Sequence, residues 1–153
     1  MQNPFAEILK GKTVILGLGN TLRGDDGFGP ALIERLKGNT QALCFDAGTA
    51  PENYAGKIAK ENPDTVLIVD AAHLDLAPGS FRLLEGKDIL KNGFTTHDMS
   101  PGMFMEHLST QTKSKIYMLG VQPQNISLGS EMSDAVKKAL DNIEKLITEN
   151  FHA

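Results

Sequence analysis

The sequence contains one cysteine, Cys44, in 153 residues. A single cysteine excludes an internal disulfide and a zinc site built from several cysteines, and the chain has no need of an oxidising compartment. Basic residues are not in excess, because fifteen Lys and Arg stand against nineteen Asp and Glu, a formal net charge of −4. This balance argues against a protein that binds nucleic acid or an anionic membrane through a basic face.

Long hydrophobic runs are also missing. The longest apolar stretches have the length of strands, well short of the roughly 20 residues that a bilayer requires. The N-terminus, MQNPFAEILKGK, has neither the charged region nor the apolar run of a signal peptide. We therefore expect no membrane insertion and a cytoplasmic location.

Apolar runs of strand length alternate with segments of helical period, which is the pattern of an α/β fold. Three of these runs, TVILGL, VLIVD and IYMLGV, are almost unbroken, as expected of central strands covered on both faces. The predicted strands are 13–18, 42–46, 65–70, 80–84 and 115–121. We expect a three-layer α/β/α sandwich in a single domain over residues 1–153. Its five-stranded sheet is mainly parallel, with room for one antiparallel strand near Phe81.

Helices are predicted between the strands. Pro30 suits the first turn of a helix that runs to Lys37, and Gly38 suits the position after its end. Shorter helices are predicted over 52–61 and 102–109. The last helix has the strongest pattern, because its apolar residues recur at helical spacing and should face the sheet. These residues are Met132, Ala135, Val136, Ala139, Leu140, Ile143, Leu146 and Ile147.

Candidate functional residues follow the predicted strands, since open α/β sheets bind ligands at the carboxyl ends of their strands. The first strand runs into GLGNTLRGDDGFG at 17–29, and the second ends at Asp46. The third ends at Asp70, and a later polar loop, TTHDMS, occupies 95–100. Several carboxylates and one imidazole should therefore meet at a single edge of the sheet.

Two ligand classes can be weighed against these residues. A dinucleotide site is excluded, because G-x-G-x-x-G needs a third glycine where Leu22 stands, and Asp25 and Asp26 would repel the pyrophosphate. A Mg²⁺-dependent phosphoacceptor would use this acidic pair together with Asp70. It also needs a lysine after the last strand, where the sequence has Gln122. This second class stays open as an alternative.

The strongest combination is Asp26, Asp70 and His97. Two carboxylates and one imidazole suit a divalent first-row metal, and three protein ligands leave coordination positions open for catalysis. The sequence contains neither H-E-x-x-H nor G-x-S-x-G, and Cys44 lies in a predicted strand where thiols are usually inert. His73, just beyond the third strand, is a weaker rival ligand.

Each of the three residues also has a purely structural explanation. Asp26 can cap a helix, Asp70 can bond the turn that follows it, and His97 can be an ordinary loop histidine. Two adjacent aspartates cannot both be the cap, which favours a functional role for one of Asp25 and Asp26.

An ordered set of motifs resembles the hydrogenase maturation proteases. The set comprises GLGN at 17–20, RGDDGFGP at 23–30, DAGTAPEN at 46–53, LIVDA at 67–71, PG at 78–79, TTH at 95–97 and LGVQP at 119–123. Each motif is weak alone, but the set spans nearly the whole chain in order. Asp26, where other members have Glu, and the APEN and TTH segments are most similar to the branch that serves hydrogenase 3, of the formate hydrogenlyase type.

This resemblance implies an endopeptidase that removes a C-terminal extension from the large-subunit precursor of a [NiFe] hydrogenase after nickel insertion. The family's metal-contacting residues correspond to Asp26, Asp70 and His97, which are therefore the expected metal-binding and catalytic residues. The nickel is implied to arrive in the precursor, so no cofactor of the chain's own is expected. We expect a monomer whose partner is this precursor.

Three further expectations accompany the resemblance. Asp25 is interpreted as a helix or loop anchor and not as a ligand. Asp98 and Ser100 depart from the family pattern just after His97, and the role of Asp98 is left open. A non-catalytic module that senses nickel in the precursor would use the same three residues as a protease, so it stays an alternative.

Overall fold

A computed structural model describes residues 3–85 and 101–150. The strands are β1 (Thr13–Leu18), β2 (Leu43–Gly48), β3 (Thr65–Ala71), β4 (Phe81–Glu85) and β5 (Lys115–Val121). The α-helices within these ranges are α1 (Phe28–Leu36), α2 (Ala55–Glu61), α3 (Pro101–Ser109) and α4 (Asp134–Asn150). Two short 3-10 helices, η1 (Gly24–Gly27) and η2 (Pro51–Tyr54), precede α1 and α2.

The five strands form one sheet in the order β2-β1-β3-β5-β4. The pairs β1–β2, β1–β3 and β3–β5 are parallel, and β4 pairs with β5 in the antiparallel direction, with Phe81 opposite Val121. The prediction of a mainly parallel five-stranded sheet with one antiparallel strand near Phe81 is confirmed. Strands β1 and β3 are buried along their whole length, as their unbroken apolar runs indicated.

Helices cover both faces of the sheet, which confirms the three-layer α/β/α architecture. On one face, α1 and α4 pack on alternate residues of β1 and β3 together with the N-terminal residues Phe5 and Leu9. On the other face, α2 and α3 pack on the remaining residues of the same strands. Because side chains alternate along a strand, a central strand can supply both cores at once.

The predicted boundaries differ from the observed ones by a few residues. Helix α1 begins at Phe28, two residues before Pro30, which is compatible because the first turn of a helix leaves its N–H groups without intrahelical partners. Gly38 follows the end of α1 with a φ of +81°, as predicted. The segment predicted as one helix over 52–61 begins as the 3-10 turn η2 and becomes α-helical only at Ala55.

Helix α4 has the apolar stripe that the sequence predicted. Its buried residues are Val136, Ala139, Leu140, Ile143 and Ile147. Arg35 of α1 pairs with Asp141 and Glu144 of α4, and these hydrogen bonds raise the pKa of the guanidinium. Within the described ranges, every helix is too short or too polar to cross a bilayer.

Candidate active site at the carboxyl edge of the sheet

Asp26 lies in η1, between the end of β1 and the start of α1, and only 5% of it is exposed. The backbone N–H of Asn20 donates to its Oδ2 at 2.9 Å. Gly19, with a φ of +140°, contacts the carbonyl oxygen of Asp26 so closely that a β-carbon would not fit. The loop after β1 is therefore folded back on η1 and holds the Asp26 carboxylate from one side.

Asp70 lies near the carboxyl end of β3, which is the central strand of the sheet, and is 3% exposed. It is opposite Gly120 of β5, and the preceding residue, Val69, is opposite Gly17 of β1. Asp70 is thus the first residue of β3 beyond its ladder with β1, at the point where that neighbour turns away into its loop.

Close backbone packing brings the two carboxylates to the same edge of the sheet. A β-carbon on Gly29, in the first turn of α1, would stand 2.7 Å from the carbonyl oxygen of Val69, the residue before Asp70. Asp26 is three residues before Gly29, and η1 itself contacts β3. Two buried carboxylates therefore lie at the edge where a parallel sheet binds ligands, as expected from the ends of the predicted strands.

The third predicted ligand, His97, and its neighbour Asp98 lie outside the described residues. In the part of the chain that the structure describes, no group of three His, Cys, Asp or Glu side chains could hold a metal ion. The rival ligand His73 is exposed and belongs to no such group. The roles predicted for Asp26, Asp70 and His97 stay predictions.

Asp25 is completely buried, and its carboxylate has different hydrogen-bond partners from that of Asp26. Its Oδ2 accepts hydrogen bonds from the N–H groups of Gln124 (2.8 Å) and Asn125 (3.0 Å) and from the hydroxyl of Ser133 (2.9 Å). Its Oδ1 accepts a hydrogen bond from the N–H of Ser133 at 2.7 Å. The prediction that Asp25 is an anchor is confirmed.

The hydrogen bonds of Asp25 weaken the case for a Mg²⁺-dependent phosphoacceptor. That scheme needs both Asp25 and Asp26 to face a Mg²⁺ ion, yet the Asp25 carboxylate is directed to the segment that follows β5. Gln122 and Pro123 follow β5 directly, so the lysine that the scheme needs is absent from that position. The phosphoacceptor alternative therefore lacks both a second carboxylate that faces the metal and the lysine after the last strand.

Gln122 has a structural role that was not predicted from the sequence. Its Oε1 accepts a hydrogen bond from the N–H of Leu74 at 2.6 Å, and its Nε2 donates to the carbonyl of Pro123 at 3.1 Å. The backbone of Gln122 also bonds Gly79 and Ser80. Gln122 thus holds the segment that leaves β3 just after Asp70. A glutamine–proline pair at the end of a central strand was the only signal in the sequence.

An open groove of about 300 Å³ lies beside α1, the loop after β1 and the end of β2. Its lining includes Thr21, which follows Asn20, and Asp46, whose Oδ1 accepts a hydrogen bond from the N–H of Gly48 at 3.0 Å. The groove thus continues from the loop that bonds Asp26, and one side of it is the apolar surface of Pro30 and Ile33.

Cys44 is unsuited to nucleophilic catalysis, as the sequence indicated. It lies in β2 at intermediate burial, and loss of hydration raises the pKa of its thiol to about 11. Since the thiolate is the reactive form, this thiol is almost entirely protonated at neutral pH.

Comparison with known proteins identifies the class of protein to which this fold and site belong. Residues 30–150 match the family model described as hydrogenase maturation protease. The chain belongs to this family and is a peptidase. The matched residues include Asp70 and begin four residues after Asp26.

Individual relatives narrow the identification to the branch that the sequence indicated. The chain is 35% identical over 135 residues to the hydrogenase 3 maturation protease of Escherichia coli K12, covering 85% of each chain. It is 32% identical to the crystal structure of the [NiFe] hydrogenase maturation protease HycI from Thermococcus kodakarensis, with a TM-score of 0.89 over 97% of this chain and 99% of that one. A putative maturation protease of Methanocaldococcus jannaschii is 28% identical, covering 90% of this chain and 87% of its own length. The chain is thus a HycI-like maturation protease.

Proposed function

We propose that this chain removes the C-terminal extension of a [NiFe] hydrogenase large-subunit precursor after nickel insertion, and that substrate-bound nickel is its recognition element. Asp26, Asp70 and His97 are the proposed metal-binding and catalytic residues. The observation that carries the proposal is the convergence of two buried carboxylates, Asp26 and Asp70, at the carboxyl edge of the sheet.

The chemistry of these side chains supports a metal brought by the substrate. Two carboxylates and an imidazole suit a divalent first-row ion, and a three-ligand set leaves positions open for ligands of the precursor. The described residues alone supply only two of the three ligands, and both belong to well-packed elements. Nickel insertion then acts as a checkpoint, because a precursor without nickel lacks the ion that these residues contact.

Hydrolysis at such a site requires an activated water and a polarised carbonyl. One of the carboxylates accepts a proton from the water, or nickel lowers the pKa of a water bound to it so that the proton leaves to solvent. The resulting hydroxide attacks the scissile carbonyl carbon, and the peptide bond breaks as the departing amine takes up a proton. We infer that part of the precursor's chain lies in the neighbouring groove of about 300 Å³, which Thr21 joins to the Asn20 loop; Asp26 and Asp70 are not among its lining residues.

The proposal is tested by mass spectrometry of a nickel-loaded large-subunit precursor mixed with the purified chain. We expect loss of the C-terminal peptide with the wild-type chain and no loss when the precursor lacks nickel. Asp26→Asn, Asp70→Asn and His97→Ala should each nearly abolish cleavage while circular dichroism stays unchanged.

Two matched controls separate the site from general effects of the substitutions. Asp141→Asn changes an exposed aspartate on α4, and His107→Ala changes an exposed histidine on α3. Both variants should cleave normally. Full activity of Asp26→Asn, or equal cleavage of nickel-free precursor, would reject the proposal.

A further inference from the structure

Asp25 forms a connection between two parts of the chain that are about 100 residues apart. Its carboxylate accepts four hydrogen bonds, three from backbone N–H groups and one from a hydroxyl. The donors lie in the connection between β5 and α4, which we call the β5–α4 loop (residues 122–133). A completely buried carboxylate is costly unless it is fully hydrogen-bonded, and here four donors meet that requirement.

Other contacts bind the same two segments together. The N–H of Asp25 donates to the carbonyl of Asn125 at 3.0 Å, and the N–H of Gly129 donates to the carbonyl of Leu22 at 2.8 Å. Gly24, with a φ of +53°, approaches the β5–α4 loop so closely that a β-carbon would lie 2.6 Å from the carbonyl oxygen of Asn125. The loop after β1 and the β5–α4 loop therefore form one closely packed unit.

Asp26, the next residue of η1, is held by a different partner from those of Asp25. Successive residues of a 3-10 helix are rotated by about 120°, so neighbouring side chains point in different directions. Asp25 points to the β5–α4 loop, while Oδ2 of Asp26 accepts a hydrogen bond from Asn20. Any rotation of η1 that frees Asp25 also displaces Asp26, because the two residues share one turn of backbone.

We propose that Asp25 is a positioning residue for the protease site, and that its four hydrogen bonds fix the orientation of η1 and thereby of the Asp26 carboxylate. This inference rests on the proposed function, which places Asp26 at the nickel ion of the precursor. It goes further by assigning a part in activity to Asp25, the first aspartate of the Asp25–Asp26 pair, which is not a proposed metal ligand.

The test uses Asp25→Asn in the full chain. The substitution keeps the shape of the side chain but turns an amide N–H₂ group toward N–H donors, so at least one hydrogen bond is lost. We expect kcat/KM on nickel-loaded precursor to fall at least tenfold at a temperature where the variant is folded. In amide exchange by NMR, the N–H of Asn20, which reports the Asp26 contact, should exchange at least tenfold faster.

A control variant of similar stability distinguishes a positioning role of Asp25 from a merely structural one. Ile147→Ala removes a buried side chain of α4, 14 residues or about 21 Å along the helix from Ser133. It should lower Tm without changing kcat/KM or the exchange of Asn20. Should Asp25→Asn fail to fold, Ser133→Ala is used instead. It deletes the hydroxyl donor to Asp25, and also the acceptor that this hydroxyl offers to the N–H of Val136 at 3.4 Å. We expect kcat/KM to fall about threefold, beyond any fall that Ile147→Ala shows at the same Tm.

The outcomes distinguish this inference from the proposed function. If Asp26→Asn is inactive while folded Asp25→Asn cleaves normally, the positioning role is wrong and the proposed function stands. If Asp26→Asn is fully active, the proposed function is wrong, and the positioning role that rests on it is wrong as well. An equal loss of activity in Ile147→Ala at the same Tm would show that lost stability alone explains the effect, and would overturn the positioning role.

Discussion

Gly29 lies directly against Val69, so that a β-carbon on Gly29 would stand 2.7 Å from the carbonyl oxygen of Val69. The same position would be 2.6 Å from the N–H nitrogen of Leu18. A side chain therefore cannot be accommodated at position 29, in the first turn of α1. The close contact between Gly29 and Val69 allows η1, with Asp26, to lie near the end of β3, where Asp70 follows Val69.

Gly29→Ala should therefore reduce both stability and activity. The new methyl group meets backbone atoms of β1 and β3, which cannot rotate away as a flexible side chain can, and overpacking of this kind costs about 1–3 kcal/mol. Urea unfolding measures the loss. Gly56→Ala in α2 is the matched control, since a β-carbon there meets nothing within 4 Å. It should stabilise the protein by up to about 1 kcal/mol. A Gly29→Ala protein as stable as the wild type would contradict the close packing of α1.

Gln122→Met should loosen the segment that follows Asp70. Methionine has a similar volume but no acceptor for the N–H of Leu74, and an unsatisfied buried donor costs about 1–3 kcal/mol. Amide exchange of Leu74 should accelerate, and the midpoint of urea unfolding should fall. Gln124→Met is the control, because the side chain of Gln124 is exposed and only its backbone N–H is bonded to Asp25. Unchanged exchange of Leu74 would refute this role of Gln122.

Two alanine substitutions in α4 should differ in their effects. Ile143 is fully buried, so Ile143→Ala removes core volume and should cost about 2–5 kcal/mol of unfolding free energy. Leu146 is only partly buried beside the same core, and Leu146→Ala should cost clearly less. Denaturant unfolding of both variants measures the difference. Equal losses would mean that α4 is rotated from the orientation described above.

Cys44 should react slowly with alkylating reagents. Burial raises the pKa of its thiol from 9.0 to about 11, so the rate of iodoacetamide modification in the folded protein should rise only as the pH approaches 11. In guanidinium, the same single thiol should titrate near its ordinary value. Because the unfolded state loses this proton first, stability should fall as the pH rises from 9 to 11. Cys44→Ala should reduce this alkaline loss, and a folded-state midpoint near pH 9 would contradict the assigned burial.

Much of the fold could be predicted because local patterns and burial agree. The unbroken apolar runs at 13–18 and 115–121 coincide with β1 and β5, and the stripe of α4 faces the core as its period indicated. The predicted ends of β2 and the predicted start of α2 were less accurate. Their boundaries depend on which hydrogen bonds the neighbouring chain offers, such as the register shift of β2 near Gly48.

The candidate site was predictable only in part. Asp26 and Asp70 could be selected because Asp26 follows a strand predicted to be parallel and Asp70 ends another, and parallel strands end at one edge. The division of labour between Asp25 and Asp26 was expected from the family resemblance, but the donors to Asp25 could not be named. They lie about 100 residues away, and no local pattern connects them. The role of His97 stays a prediction.

By itself, the sequence determined the alternation of strands and helices, the family, and the candidate carboxylates, because these follow from hydrophobic period and from short motifs. Only the tertiary structure decided which donors hold the Asp25 carboxylate and that Gln122 holds the segment after β3. These features depend on hydrogen bonds between segments far apart in the chain. Such bonds form only when the packed sheet and helices bring donor and acceptor within about 3 Å.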